Sequence, residues 1–329
     1  FDRQDDRNRA RFDIDLRMLD YADFLRRVEL LMPPSPPTPG ADPNDALRRT
    51  FAELARSDVL VRAGAQSLVF PLPVGVNVNV SNCSTRTRVT DGWLELAFDA
   101  TVDGGAVSGT LRANTADLNT PFHLAYTAHR IQPGALVDQY LGITFPGMKA
   151  TGPLTIIDEA YQKFIAAPGE PNGPVGKGEL IIDGGYVEGR AAPIWLTRIF
   201  PGLNLARFDF SYMHSWFTKT IDGRIHHSMI YKGQFYNCYM TGYSDADNNI
   251  DYEVGIDFLA DFDSKYWAET GQGRIPLFRK TGRKLPDGTL ADETVTFTPP
   301  ERILEVLAVK NNPIVTAYHA VRKRVLRAQ

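Results

Sequence analysis

The stretch FDFSYMHSWFTKTIDGRIHHSMIYKGQFYNCYMTGYSDADNNIDYEVGIDFLADF, residues 208–262, decides the fold. It reads as strand, tight turn, strand, tight turn, strand. In the last strand Ile250, Tyr252, Val254, Ile256, Phe258, Ala260 and Phe262 fall on one face. Asp251, Glu253, Gly255, Asp257, Leu259, Asp261 and Asp263 fall on the other. Side chains on a strand alternate between faces, so this pattern predicts a sheet with one apolar face and one wet, acidic face. The same alternation places Phe208, Phe210, Tyr212 and Trp216 together, and Ile225, His227, Met229 and Tyr231 together. The apolar face is either a packed core or a surface left open for lipid.

Working outward, the alternation continues through most of the chain. Phe12, Ile14, Leu16 and Met18 alternate with Asp13, Asp15 and Arg17, a strand pattern. Tyr21 to Val28 has helical spacing behind a candidate cap at Asp20. Pro33 to Pro43 holds six prolines and reads as an extended loop. Asn44 to Ser57 is an amphipathic helix through Leu47, Phe51, Leu54 and Ala55. Val59 to Val80 gives strands broken at Gly64, Pro71, Pro73 and Gly75, with Val76, Val78 and Val80 on one face. Asp91-Gly92 and Asp103-Gly104-Gly105 are turn signals bracketing a strand with Leu94, Leu96, Phe98, Ala100 and Val102 on one face. Phe122 to Ala128 is a further strand and Gln132 to Leu141 a short helix. Two strand-then-helix units, Phe12–Leu30 and Phe122–Leu141, suggest a loose internal repeat.

Residues 167–175 are rich in Pro and Gly and read as a loop between halves. A strand from Gly176 ends in a turn at Asp183-Gly184, and a short apolar helix covers Ile194 to Phe200. Thr270 to Thr298 reads as loop-rich with a turn at Asp287-Gly288, followed by helices at Pro299–Val309 and Ile314–Leu326. The predicted organisation is a first half over 1–166, a hairpin half over 167–270, and a loop with C-terminal helices over 271–329.

Composition narrows the function classes. Hydrophobic residues make up 43% of the 329, enough for a sizeable core, and the formal charge of −3 argues against a dominant nucleic-acid footprint. The basic cluster Arg322, Lys323, Arg324 and Arg327 is either a solvated helix face or a contact for anionic headgroups or a partner. Cys83 and Cys238 have no spacing motif; they are a pair in an oxidising compartment or two buried thiols. No apolar run of about 18 residues occurs. No signal peptide is visible, and the charged start reads as the middle of a longer protein.

Motifs for chemistry are sparse. Asp245-Ala246-Asp247-Asn248-Asn249-Ile250-Asp251 places oxygen ligands at alternate positions, which makes Asp245, Asp247, Asn249 and Asp251 weak calcium candidates. Ile250 stands where a calcium loop needs Gly, and Ile256 where it needs a bidentate Glu, so a turn is the competing reading. Of the six histidines, His123 and His129 read as surface residues, and His226 and His227 point to opposite faces of one strand. No nucleophile elbow, phosphate loop or dinucleotide fingerprint is present. No catalytic residue, cofactor or metal is expected, and an enzyme on this scaffold would need a polar pocket the sequence does not show.

The segment GKGELIIDGGYVEG (Gly176 to Gly189), the following short helix, and the strings FDFSY, IDGRI, GQFY and IDYEVGIDF resemble the C-terminal region of the AsmA-like family of bacterial envelope proteins. The strand-then-helix units at Phe12 and Phe122 are similar to that family's repeated units, so the resemblance covers most of Phe12 to Asp263. It implies a mainly β fold: a long, strongly curved antiparallel sheet with an apolar groove and a few short flanking helices. It further implies a periplasmic domain that binds or transfers phospholipid and is anchored to the inner membrane by a segment outside this chain. The groove candidates are Val76, Val78, Leu94, Leu96, Phe98, Phe208, Phe210, Ile225, Met229, Val254, Ile256 and Phe258. Charges at Val254 and Ile256 are then expected to abolish lipid binding. The alternative is a structural or outer-membrane assembly protein with a closed core that acts through protein partners.

Overall fold

The computed structural model describes residues 2–4, 7–20, 44–71, 77–145, 147–166, 169–188, 207–234, 236–258, 277–285 and 290–297. The protein is mainly β with an open sheet, and two short helices occur among the described residues. The chain divides into two compact units: Phe1–Gln132 with Ile156–Gly176, and Pro133–Thr155 with Lys177–Gln329.

The first unit is a run of adjacent strands. β1 (Asp2–Gln4) pairs with β2 (Arg7–Asp20), and β2 runs parallel to β3 (Ser57–Pro71). Then β4 (Asn77–Thr90), β5 (Trp93–Val102), β6 (Gly105–Asn114) and β7 (Phe122–Ile131) form an antiparallel meander. The turns fall where expected. Asp91 and Gly92 have φ of 52° and 75°, and Asp103 and Gly104 have φ of 42° and 75°, the paired left-handed geometry of tight hairpins. Gly64 does not break a strand as the sequence suggested; β3 runs straight through it. Helix α1 (Asp45–Ala55) matches its prediction and buries Phe51. The Phe51 ring meets Phe164 at 4.8 Å, and Phe164 meets Phe122 at 4.7 Å, so an aromatic trio ties the helix to one end of the sheet.

In the second unit, α2 (Ala135–Thr144) places Val137 and Leu141 one turn apart, both fully buried, with Phe145 and Met148 buried behind them. β8 (Met148–Ala150) pairs with β11 (Gly185–Glu188), which pairs with β12 (Arg207–Lys219). β9 (Leu154–Gln162) and β10 (Val175–Ile182) lie between β8 and β11 in the chain. The residues 208–262 contain not three strands but four. These are β12, β13 (Ile225–Gly233), β14 (Tyr236–Ser244) and β15 (Asn249–Phe258), paired antiparallel in order. The meander continues through β16 (Leu277–Lys284) and β17 (Leu290–Phe297). The loop-rich reading of Thr270–Thr298 is therefore corrected to a hairpin. Its cross-strand partners include Thr281 with Thr294, Arg279 with Thr296 and Lys280 with Val295, and β16 itself, LFRKTGRK, has no apolar alternation.

The predicted helices at 21–28, 194–200, 299–309 and 314–326, the Pro-rich loop at 33–43 and the basic cluster at 322–327 lie outside the described residues.

Close approach constrains Gly109 in the first sheet. A Cβ on Gly109 would stand 2.5 Å from the Phe98 ring and 2.7 Å from the Ala125 carbonyl oxygen. The ring lies across the glycine, and the carbonyl belongs to the neighbouring strand. Gly109→Ala is therefore expected to lower unfolding free energy by about 1–3 kcal/mol, the usual cost of overpacking. Gly64→Ala has only ordinary contacts, at 3.7 and 3.8 Å, and is expected to change stability by less than about 0.5 kcal/mol. Urea unfolding of both variants checks the contrast.

Candidate functional site: the apolar sheet faces

The two units treat their apolar faces differently. In the first, register builds rows across six strands that are apolar except on β4, where Thr87 and Thr85 stand. One row is Phe12, Val61, Thr87, Leu96, Leu111 and Leu124. The next is Ile14, Ala63, Thr85, Phe98, Gly109 and Tyr126. At about 4.8 Å between strands, the face is about 24 Å wide. Leu94, Leu96 and Phe98 share it and are half-buried, while Trp93, Glu95, Ala97 and Asp99 point the other way and are exposed. Val78 is buried near one end. The β2 side is open: Phe12 is 46%, Ile14 45% and Met18 71% exposed. Val76 lies outside the described residues.

In the second unit the face is a packed core. Ser215, Met229, Met240 and Val254 form one cross-strand row, with Met229 at 0% and Val254 at 5% exposure. Phe210 is buried against Tyr231, with ring centroids 5.5 Å apart, and Phe208 meets Tyr231 edge-on at 6.0 Å. Ile225 begins β13 on this face, and Ile256 and Phe258 continue its parity along β15. Leu259 to Asp263 lie outside the described residues. Val254 has no exposed surface to offer a ligand, so a charge there reports on packing before it reports on lipid.

Alternation alone misassigned two places on this unit. A register shift between Phe210 and Tyr212 reverses β12. Met213, Ser215 and Phe217 take the buried face after the bulge, while Tyr212, His214 and Trp216 move to the opposite one. There His214 Nε2 bonds Glu179 at 2.9 Å, its Nδ1 meets the Tyr212 hydroxyl at 3.2 Å, and its ring stacks on Trp216 at 3.8 Å. The acidic face of β15 is not simply wet either: Glu253 is 7% exposed. Asp251 on that face accepts two hydrogen bonds from Arg279, at 2.7 and 2.5 Å, which raises the guanidinium pKa further above its ordinary value.

Polar groups also lie inside, and His227 is on the face where alternation put it. His227 is buried, its ring edge-on to Phe145 at 5.6 Å and 6.2 Å from Tyr252. Ser215 Oγ lies 3.4 Å from His227 Nδ1. That distance is longer than a nucleophile–base hydrogen bond, and Ser215 is fully buried. Burial pushes the His227 pKa down to about 3, with Lys284 and His226 adding to the shift. Burial likewise pushes the Cys238 thiol up to about 12, so it is a protonated, apolar group; Cys83 is shifted in the same direction. Both cysteines are free.

The calcium string forms the turn between β14 and β15. One Asp245 carboxylate oxygen accepts the backbone N–H of Asp247 and Asn249, at 3.0 and 2.8 Å, and the other accepts the Asn249 side-chain amide at 3.0 Å. Asn248 takes φ of 64° to complete it. With Asp251 engaged by Arg279, the four candidates are not brought together as a ligand set. Among the described residues no group of three or more His, Cys, Asp or Glu could hold a metal ion. His123, expected at the surface, is half-buried beside Glu159 at 3.0 Å and stacks on Tyr161; His129 is exposed.

No family model matches this chain, and no curated protein or solved structure is similar to it.

Proposed function

We propose that the chain is a non-catalytic lipid-binding domain of a bacterial cell envelope, of the AsmA-like type, which carries acyl chains on the apolar face of its first unit. The observation that supports this reading is the pair of apolar rows across six strands, half-buried at their centre and open at Phe12, Ile14 and Met18. An acyl chain gains about 0.8 kcal/mol per methylene taken out of water, and needs continuous apolar surface rather than specific polar ligands. A periplasmic setting, membrane association through a segment outside this chain and a role in phospholipid transfer belong to the same reading.

Native mass spectrometry of the purified chain, with lipid extraction from the same sample, tests it. Near-stoichiometric phospholipid is expected on the wild type. Phe12→Asp combined with Ile14→Asp is expected to remove most of it at unchanged melting temperature, because both side chains are already exposed. A lipid-free wild type, or a folded double variant that keeps its lipid, would overturn the reading.

The sealed face of the second unit favours a second reading for that half, a structural or assembly element that acts through polypeptide partners. Lipid mapped by cross-linking to β12–β15 would count against it.

A further inference from the structure

On the side of the first sheet opposite the apolar rows, β2 to β5 line an open concavity of about 590 Å³. Its floor is small, with Gly64 and Ala97 exposing little side chain. Its walls are charged. Arg62 and Arg86 are direct cross-strand partners on β3 and β4, so both guanidiniums stand on this face side by side. Like charges directly opposite one another destabilise a sheet. Among the described residues neither guanidinium has an ion-pair or hydrogen-bond partner. Asp13, the register partner of Arg62, instead accepts from Arg11 at 3.0 Å. Two residues further along the strands, about 7 Å away, the next row reads Asp15, Gly64, Ser84 and Asp99. Two carboxylates therefore flank a floor of Gly and Ser.

The geometry points to a binding site for a small zwitterion, a phosphoethanolamine-type group, with its oxyanion on Arg62 and Arg86 and its ammonium on a flanking carboxylate, Asp15 over Gly64 or Asp99 on the far wall. Paired guanidiniums match the oxygens of a phosphate with several parallel N–H donors. An anion alone would face the two carboxylates, and an amine alone the two arginines. A molecule carrying both charges on a short linker meets each with its complement. The site lies on the face opposite the apolar rows and does not depend on the lipid reading of that face.

Isothermal titration of the full chain with O-phosphoethanolamine, inorganic phosphate and ethanolamine tests the assignment. The zwitterion is expected to bind about tenfold or more tighter than either half. Arg62→Ala with Arg86→Ala is expected to lose that binding. Asp15→Asn with Asp99→Asn is expected to weaken the zwitterion while strengthening phosphate. All four side chains are exposed, so an unchanged melting curve shows that the variants fold. Equal affinity for phosphate and the zwitterion, no binding of the zwitterion, or full binding by the double arginine variant overturns the proposal. Flotation with phosphatidylethanolamine vesicles separates the sources. Co-flotation lost in the arginine variant assigns a lipid headgroup, and binding of the soluble compound without co-flotation assigns a free metabolite.

Discussion

Gly242→Ala is expected to destabilise the protein by about 3 kcal/mol or more. Gly242 has φ of 154°, in a region that side-chain-bearing residues rarely adopt. A Cβ there would stand 2.0 Å from the Asp251 carbonyl oxygen and 2.7 Å from the Tyr252 Cα, both backbone atoms of the paired strand. Neither can move without opening the β14–β15 ladder. The glycine also lies between His227 and Tyr252 in one cross-strand row, and the Tyr252 ring edge occupies the space a methyl group would need, 2.8 Å from it. At about 2–4 °C per kcal/mol for a protein of this size, the melting temperature should fall by roughly 6–12 °C. A fall of less than about 2 °C would mean that the ladder yields there and that the row is not a tightly packed core.

The second large effect is a loss of stability in acid that traces to one side chain. His227 titrates at about 3 in the folded protein because burial disfavours its cation, with Lys284 and His226 adding repulsion. In the unfolded chain it titrates near 6.5. Between these values the unfolded state holds the extra proton, so stability falls as pH falls, at up to about 1.4 kcal/mol per pH unit. Above about 6.5 the imidazole is neutral in both states and contributes no slope. By pH 3 the accumulated loss reaches about 4–5 kcal/mol. His227→Leu removes the proton and keeps an apolar group of similar bulk against Phe145. Urea unfolding at several pH values between 4 and 6 should show a variant whose stability falls less steeply by about one proton. Parallel slopes would mean that water reaches the ring and that it titrates normally. Carboxylates such as Asp245, held low by hydrogen bonds from Asn249 and Asp247, also lose stabilising bonds in acid, but equally in both proteins.

Where side-chain chemistry acts locally, the sequence was readable. Asp91-Gly92 and Asp103-Gly104 carry their turn geometry in the residues themselves, and α1 follows from its apolar spacing around Phe51. The alternation at Ile250, Tyr252 and Val254 put those three on the buried side correctly. Period-two reasoning carries no marker for a bulge, so Tyr212 and Trp216 were placed on the wrong face. The hairpin of β16 and β17 escaped because β16 from Arg279 to Lys284 carries no large apolar residue to set against Val295 and Leu290. Its Lys280–Glu293 pair, 3.0 Å apart and largely buried, supplies polar cohesion that hydrophobicity patterns do not register. Whether an apolar face is covered depends on what packs over it from distant parts of the chain. That is why Leu96 and Met229 look alike as letters yet differ in exposure. The concavity above Gly64 was invisible for a related reason: four adjacent strands build it, and no two of its charged residues belong to a motif.

The parallel pairing of β2 with β3 bears on the order of assembly. β3 to β7 are joined by short turns or modest loops, and such neighbours can find one another with little loss of chain entropy. β2 must instead close a loop of 36 residues, 21–56, before its first bond to β3 forms. The meander is thus expected to supply the folding nucleus, with β2 docking late. Substitutions at Leu16 should accelerate unfolding and leave the folding rate nearly unchanged, whereas changes at Leu96 or Leu111 should slow folding. The strand that bears Phe12 and Ile14 would be the last of this unit to dock and the first to come away.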